Sequence, residues 1–306
     1  SLRRRDFERL TAGGQVGRTR AMLKVEDGCT NFCTYCIIPY ARGPVRSLPL
    51  SEAVDQAKEL ETQGYREIVL TGIEISSWGR DLKEGQTLID LVEALCHAVP
   101  GLRVRLGSLE PRTITEDFCQ RAVALPNLCP HFHLSMQSGC DETLKRMNRK
   151  YDTARYLQSV QWLNQYFDRP AITTDLIVGF PQETEEEFAQ TLDFIRRCAF
   201  SSMHIFPYSR RSGTPAATMA GQIPHAVQEQ RAQAAQAVAR EMEEAYLQAL
   251  VGSTRPVLFE EEKEGLWQGH APNYVAVRAA GEDLHNQLRQ VTVTGVGDVI
   301  LLGEIQ

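Results

Sequence analysis

The stretch AMLKVEDGCTNFCTYCIIPYARG (residues 21–43) starts as a strand and ends as a loop of thiols. AMLKVED reads as a β-strand, and Cys29, Cys33 and Cys36 follow it with gaps of three and then two residues. No fourth cysteine stands nearby. A chemically loaded loop placed directly after a strand is the arrangement of α/β enzymes, whose strand ends carry the reacting groups.

Outward from this stretch, helical and strand periodicities alternate. LSEAVDQAKELETQG (50–64) reads as a helix with Ser51 as its N-cap, and REIVLTG (66–72) as a buried strand. TLIDLVEALCHAV (87–99) and LRVRLGS (102–108) repeat the pair, as do ITEDFCQRAVAL (114–125), capped by Thr115, and HFHLSMQ (131–137). DTARYLQSVQWLNQYF (152–167), AITTDLIVG (171–179), TEEEFAQTLDFIRRC (184–198) and SSMHIFPYS (201–209) complete the series. Thr184 and the acidic turn after it suit a helix N-terminus. Six strand–helix units imply right-handed parallel crossovers. Two architectures accommodate them, an open doubly wound sheet and a partial (β/α)6 barrel. Polar, glycine-bearing segments follow nearly every strand. That favours the barrel, which gathers all its strand ends at one mouth.

The pattern changes after Pro224. Residues 224–252 read as one long helix, with Pro at its start and Gly252 at its end. The remainder is short β-rich runs separated by turns, predicting a small all-β barrel. The expected organisation is a lead-in over 1–20, the partial barrel over 21–222, a linking helix over 223–252 and the small barrel over 253–306.

The 306 residues carry 33 Lys/Arg against 39 Asp/Glu, which argues against a surface coated in basic patches. No apolar run is long enough to span a bilayer, and the basic start SLRRRDFERL has no apolar core after it, so no membrane role and a cytoplasmic location are expected. Eight cysteines are too few for a disulfide scaffold, and a tight cluster in a reducing compartment points to metal or catalysis. Structural zinc would want four Cys or His ligands. No second C-x-x-C supplies them, although a histidine or Cys140 stays open as a fourth. Cys96, Cys119 and Cys198 fall within helical patterns and read as small buried apolar residues. An iron–sulfur cube explains the number better, because three thiolates hold three irons and leave the fourth open.

C-x-x-x-C-x-x-C after the first strand of a partial (β/α)6 barrel resembles the radical S-adenosylmethionine superfamily. The neighbouring motifs are DGCTNFCTYCIIPYARGPVRS, LTGIEISSWGRDL, SLEP, HLSMQSGCDETLKRMNRKY, TTDLIVGFPQETEEEF and MHIFPYSRRSGTPAA. Together they resemble the methylthiotransferases, from about Lys24 to Gln306, and within them the tRNA branch acting on N6-threonylcarbamoyladenosine beside the anticodon. Sister branches act on isopentenyladenosine in tRNA and on a ribosomal protein.

The resemblance implies a 4Fe–4S cluster on Cys29, Cys33 and Cys36, with S-adenosylmethionine chelating the open iron. One electron from an outside donor then yields a 5′-deoxyadenosyl radical. It implies Tyr35 near the adenine, and Gly72 and Glu74 at the methionine amine, unless these two form only a turn and a cap. Ser108, Glu110 and Gln137 end the third and fourth strands beside the cofactor, Gln137 with either ligand or backbone as partner. Arg149 would pair with the methionine carboxylate, or else with a surface acid. Asp175 through Pro181 would face the adenine, with Gly179 allowing close approach or simply making a turn.

In this family methylthiolation consumes two S-adenosylmethionine molecules and needs a second 4Fe–4S cluster in an N-terminal domain. The chain begins about two dozen residues before its one triad, with Ser1, so it is expected to be a fragment that cleaves S-adenosylmethionine without inserting sulfur. The β-rich tail resembles the TRAM domain, an RNA-binding module. It holds four Lys/Arg against eight Asp/Glu, so tRNA contact is expected from Trp267, His270, Asn273 and Tyr274 rather than from charge. Barrel-stabilising roles are the alternative. Arg210 and Arg211 at the mouth, with Arg3, Arg4, Arg5, Arg42 and Arg46, would add positive charge. The reading from another class is a zinc-stabilised RNA-binding protein without catalysis.

Overall fold

The computed structural model describes Phe7 and residues 19–306. Of the lead-in, Arg3, Arg4 and Arg5 lie outside the described residues, and Arg20 belongs to the first strand. The segment expected as one strand is two. β1 (Arg20–Lys24) joins the main sheet, whereas β2 (Glu26–Asp27) diverges to pair antiparallel with β3 (Arg46–Ser47). Between them the chain forms the cysteine loop and a short helix, α1 (Ile38–Arg42), that starts at a proline pair position and escaped the periodicity reading.

Then come α2 (Leu50–Thr62), β4 (Glu67–Thr71), α3 (Leu88–Ala98), β5 (Arg103–Leu106), α4 (Glu116–Val123) and β6 (His131–His133). α5 (Asp141–Arg146), α6 (Thr153–Tyr166), β7 (Ala171–Val178), α7 (Glu185–Cys198), β8 (Ser202–Pro207) and α8 (His225–Gln248) follow. Thr115 and Thr184 cap their helices as expected, each accepting from the backbone N–H three residues on. Ser51 does not. Pro49 holds the N-cap of α2, because its extended backbone already sets the entry, and Ser51 falls inside the first turn.

β1, β4 and β5 pair in parallel, and so do β6, β7 and β8. Leu109 bridges the two groups, donating to the His133 carbonyl at 2.8 Å and accepting from Ser135 N–H at 3.0 Å. The six strands thus run in sequence order with no reversal. A doubly wound sheet needs a reversal to place helices on both faces. Sequential order with right-handed crossovers puts them all on one side, and the sheet curls into a partial barrel. Outward residues such as Leu23, Ile68, Leu70, Val104, Phe132 and Leu176 form the core under the helices. The inward face is polar, carrying Arg20, Glu67, Arg103, Arg105, His133 and Asp175 along its rows. No helix among the described residues is long and apolar enough to cross a membrane.

The tail is a closed five-stranded barrel of β9 (Thr254–Lys263), β10 (Leu266–His270), β11 (Ala276–Ala279), β12 (Leu288–Val296) and β13 (Leu301–Ile305) around Val257, Phe259, Val277, Val291 and Leu301. It docks where the large barrel's strands begin. There Glu67, fully buried, meets Arg103 at 2.6 Å, Arg105 at 2.7 Å and Arg20 at 3.5 Å. Arg20 also pairs with Glu260, Arg103 donates to the His270 carbonyl at 3.2 Å and Arg105 to the Pro272 carbonyl at 2.7 Å. Tyr274 lies between the Arg20 and Arg105 guanidinium groups, 5.0 and 4.7 Å from its ring centre, and stacks on His270 at 4.9 Å.

Candidate active site

The cysteine loop is held by contacts of its own backbone. Gly28 has φ +90°, and a Cβ there would lie 2.1 Å from the Pro44 carbonyl oxygen, so only glycine lets the two arms of the loop close. Cys29 N–H donates to the Gly43 carbonyl at 3.0 Å and Thr34 N–H to the Met147 carbonyl at 3.1 Å. The Thr34 carbonyl accepts from Ala216 N–H at 2.9 Å, and the Asn148 amide donates to the Phe32 carbonyl at 2.9 Å. Asn148, at φ +59°, is the left-handed residue that ends α5, a helix not expected from the periodicities.

Cys29, Cys33 and Cys36 open onto one cavity of about 160 Å³ at the strands' carboxyl ends. The same cavity is lined by Tyr35, Glu74, Ser108, Glu110, Gln137 and Arg149. Most of the predicted cofactor set therefore converges from five loops. Arg149 is the only cation among the lining residues, and its Nη1 sits 3.2 Å from Cys33 Sγ while Nε donates to Tyr151 Oη at 2.9 Å. It is not a surface salt bridge. Glu110 is oriented by Arg112, whose Nε donates to it at 2.9 Å. Gln137 adopts φ +69°, a strained geometry for a side-chain-bearing residue, with its N–H on the Asp175 carbonyl at 2.9 Å.

The donor set fits an iron–sulfur cube. Three thiols share the cavity, and the other five cysteines are buried elsewhere, Cys140 against Gln190 at 3.4 Å. No fourth sulfur reaches in among the described residues, and no histidine lines the cavity. Burial pushes the Cys29 thiol up to about 11, so ligation displaces a proton there.

Glu26 was missed by the sequence reading. Its Oε2 accepts from Glu74 N–H at 2.8 Å, and it fills the space a Cβ on Gly72 would need, 2.8 Å away. Gly72 thus packs on Glu26 beneath the pocket, and Glu26 sets the backbone that carries Glu74. Burial, with the nearby Glu74 charge, pushes the Glu26 carboxyl up to about 8 despite its backbone donors. A raised carboxyl takes up a proton on folding, so its stability contribution is lost as pH rises from the ordinary 4.5 through about 8. Denaturant midpoints measured at pH 6 and pH 9 should fall for the wild type and fall less for Glu26→Gln; equal falls would refute this assignment.

Several predicted placements are corrected. Asp175 does not line the cofactor cavity; it points into the barrel lumen between His133 Nε2 at 3.3 Å and His204 Nδ1 at 3.2 Å. Gly179, φ +69°, is packed under Gln228, whose Cγ would lie 2.4 Å from a Cβ, so α8 and not a cofactor explains its glycine. Arg46 is buried on Asp27 at 3.1 Å and braces the cysteine loop instead of offering charge to RNA. Asn273 is 1% exposed and donates to Tyr246 Oη at 2.9 Å. His270 and Tyr274 belong to the seam between the barrels, and Trp267 packs on the small barrel's core. Of the four groups expected to be exposed, Asn273 is buried, Trp267 and His270 are half-buried, and Tyr274, though held at the seam, stays 44% exposed. Arg210 and Arg211 are exposed, and the loop that holds them abuts the cysteine loop, with Gly213 near Ile37 and the Arg211 charge felt at Cys36.

Comparison with known proteins fits this geometry. The model of the radical SAM superfamily matches residues 23–195. Coproporphyrinogen III oxidase (HemN) from Escherichia coli superposes with a TM-score of 0.53 at 15% identity, over 74% of this chain and 53% of that one. The radical S-adenosylmethionine methyltransferase TsrM from Kitasatospora setae gives 0.54 at 16%, over 64% and 38%. At these identities the likeness concerns the fold alone, and the fold is a radical SAM barrel. Threonylcarbamoyladenosine tRNA methylthiotransferase MtaB from Bacillus subtilis (strain 168) is 37% identical over 303 residues, covering 97% of this chain and 67% of the relative. MtaB from Thermotoga maritima is 40% identical over 266 residues, covering 86% and 61%. The tRNA-2-methylthio-N(6)-dimethylallyladenosine synthase of Desulfitobacterium hafniense is 38% identical over 293 residues, covering 94% and 65%. The chain belongs to the radical SAM methylthiotransferases, and it spans 61–67% of the length of these three relatives.

Proposed function

We propose that this chain carries the radical-generating site of an enzyme that methylthiolates C2 of N6-threonylcarbamoyladenosine beside the anticodon of tRNA. The observation that carries the reading is the cavity with three thiols and no fourth, at the mouth of a partial barrel. When bound there, a 4Fe–4S cluster with S-adenosylmethionine supplies a carbon radical able to abstract hydrogen from an unactivated position. Cys29, Cys33 and Cys36 would hold the cluster. Arg149 offers a half-buried guanidinium suited to the methionine carboxylate, and Glu74 a carboxylate for the amine. Tyr35, Ser108, Glu110 and Gln137 complete the walls and exclude water. Exposed Arg210 and Arg211, in the loop that abuts the cysteine loop, would receive the RNA backbone. The second cluster, used for sulfur insertion, would lie outside the described residues, whose remaining cysteines are buried singly in the barrel. A cytoplasmic location and an external electron donor go with this reading.

Nucleoside mass spectrometry of tRNA from a strain lacking the gene tests it. Loss of 2-methylthio-N6-threonylcarbamoyladenosine is expected, restored by the gene and not by a Cys33→Ala copy. The Desulfitobacterium relative favours a second substrate, isopentenyladenosine, and loss of its methylthio derivative instead would transfer the assignment to that base.

A further inference from the structure

A second cavity, of about 470 Å³, occupies the barrel lumen between the cofactor pocket and the small barrel, and the two meet at Ser108. One wall is apolar, with Met22, Val69 and Leu106. The facing wall, from β6, β7 and β8, carries His131, His133, Thr173 and His204. Behind it Asp175 gives one carboxylate oxygen to each of two imidazoles, Oδ2 to His133 Nε2 at 3.3 Å and Oδ1 to His204 Nδ1 at 3.2 Å.

That arrangement fixes the hydrogens. His133 and His204 hold the Asp175 carboxyl below its ordinary range although burial opposes it, so it is an acceptor only. Both facing ring nitrogens must then donate. The other His133 nitrogen lies 3.0 Å from the Thr173 hydroxyl. His204, with two-thirds of its side chain exposed, turns its second nitrogen free to the lumen. His131 lies beside them, its Nδ1 buried without a partner, and burial together with the Arg105 charge pushes it down to about 3, so it is neutral. At the floor, Arg20, Arg103 and Arg105 are paired with Glu67 and Glu260, and Glu243 adds a further carboxylate to the lining. The lumen therefore has idle imidazole nitrogens on one wall and already paired charges at its floor. The His133–Asp175–His204 trio needs no cation, because the carboxylate already satisfies both rings.

We infer that this lumen wall is the specificity subsite for the N6 substituent of the target adenine, and that it selects a substituent with hydrogen-bonding groups over an apolar one. The inference rests on the proposed base-modifying function. An adenine presenting C2 to the cofactor pocket carries its N6 group on another edge, away from the thiols and toward the lumen. A prenyl group there would leave His131 Nδ1 and the second nitrogen of His204 desolvated without a partner. A site built to hydrogen-bond its ligand discriminates strongly against an analogue that cannot do so. An amino-acid-derived group can occupy both walls, its methyl against Met22 and Val69 and its polar atoms against the imidazoles.

Equilibrium dialysis of three nucleosides against the cluster-reconstituted 306-residue chain with S-adenosylmethionine tests this. The ligands are adenosine, N6-isopentenyladenosine and N6-threonylcarbamoyladenosine. The wild type should retain the threonylcarbamoyl nucleoside at least about tenfold better than either of the others. His204→Leu and Thr173→Val should lose that preference while keeping the affinity for adenosine, which also reports that they are folded; His204→Gln should recover part of it. If the wild type shows the preference and both variants keep it, the subsite is wrong and the substrate reading stands. If the wild type prefers the isopentenyl nucleoside, the substrate reading itself fails. Equal retention of all three overturns the subsite.

Discussion

Glu67→Gln is expected to lower the unfolding free energy by about 3–5 kcal/mol, the usual cost of removing one partner from a buried ion cluster. The carboxylate is fully buried and faces three guanidinium groups. Glutamine keeps the shape and removes the charge, so Arg105 and Arg103 remain buried with carbonyl acceptors only. Those arginines also hold the small barrel through the His270 and Pro272 carbonyls. Denaturant unfolding should report the loss, and hydrogen exchange in β9 and β10 should quicken as the seam loosens. An unchanged midpoint would refute the assignment.

The same residue sets an acid limit. Burial alone would raise the Glu67 carboxyl, but Arg105, Arg103 and Arg20 together hold it down at about 2. A depressed carboxyl stabilises the fold above its unfolded value and ceases to do so as pH falls through its folded value. This contribution is therefore intact above the ordinary 4.5 and lost toward pH 2, the window opposite to that of Glu26. The variant should lack that acid dependence.

Cys33→Ala is expected to abolish both cluster and cleavage. After anaerobic reconstitution with iron and sulfide the wild type should be brown and bleach on reduction, and the variant colourless. Reductive conversion of S-adenosylmethionine to methionine and 5′-deoxyadenosine should fall to the uncatalysed level. Arg149→Met separates cluster holding from cofactor binding. It keeps three thiols, and so should keep the colour, while affinity for S-adenosylmethionine drops roughly tenfold to a hundredfold, as for a lost hydrogen bond to a charged group. A colourless wild type holding stoichiometric zinc would overturn the radical reading altogether.

The barrel and its thiol triad were legible because both depend on local signals. Period-2 and period-3.6 runs gave the strands and helices, and Thr115 and Thr184 marked helix starts through a bond only three residues long. What escaped depends on distant partners. Glu26 looked like one polar residue before a loop, and its role appears only once Glu74, 48 residues on, folds back over it. Asn273 reads as a group awaiting RNA because nothing local reveals that it will be buried on Tyr246, and nothing local reveals that the Tyr274 ring will meet Arg105. One signal was available and went unread. The alternations Arg103–Arg105, His131–His133 and Thr173–Asp175 each put polar residues on one face of a strand, which marks a barrel with a wet interior in place of a packed one.

The clasp around Gly28 bears on how such a protein survives air. In small zinc domains the metal is the keystone, and without it the chain unravels. Here the thiol loop is tied by backbone bonds to Gly43, Met147 and Ala216, none of which involves sulfur. The loop is therefore expected to behave as a socket: removing the iron with a chelator should leave the slow amide hydrogen exchange around Cys29 and Thr34 unchanged, and its quickening would refute this.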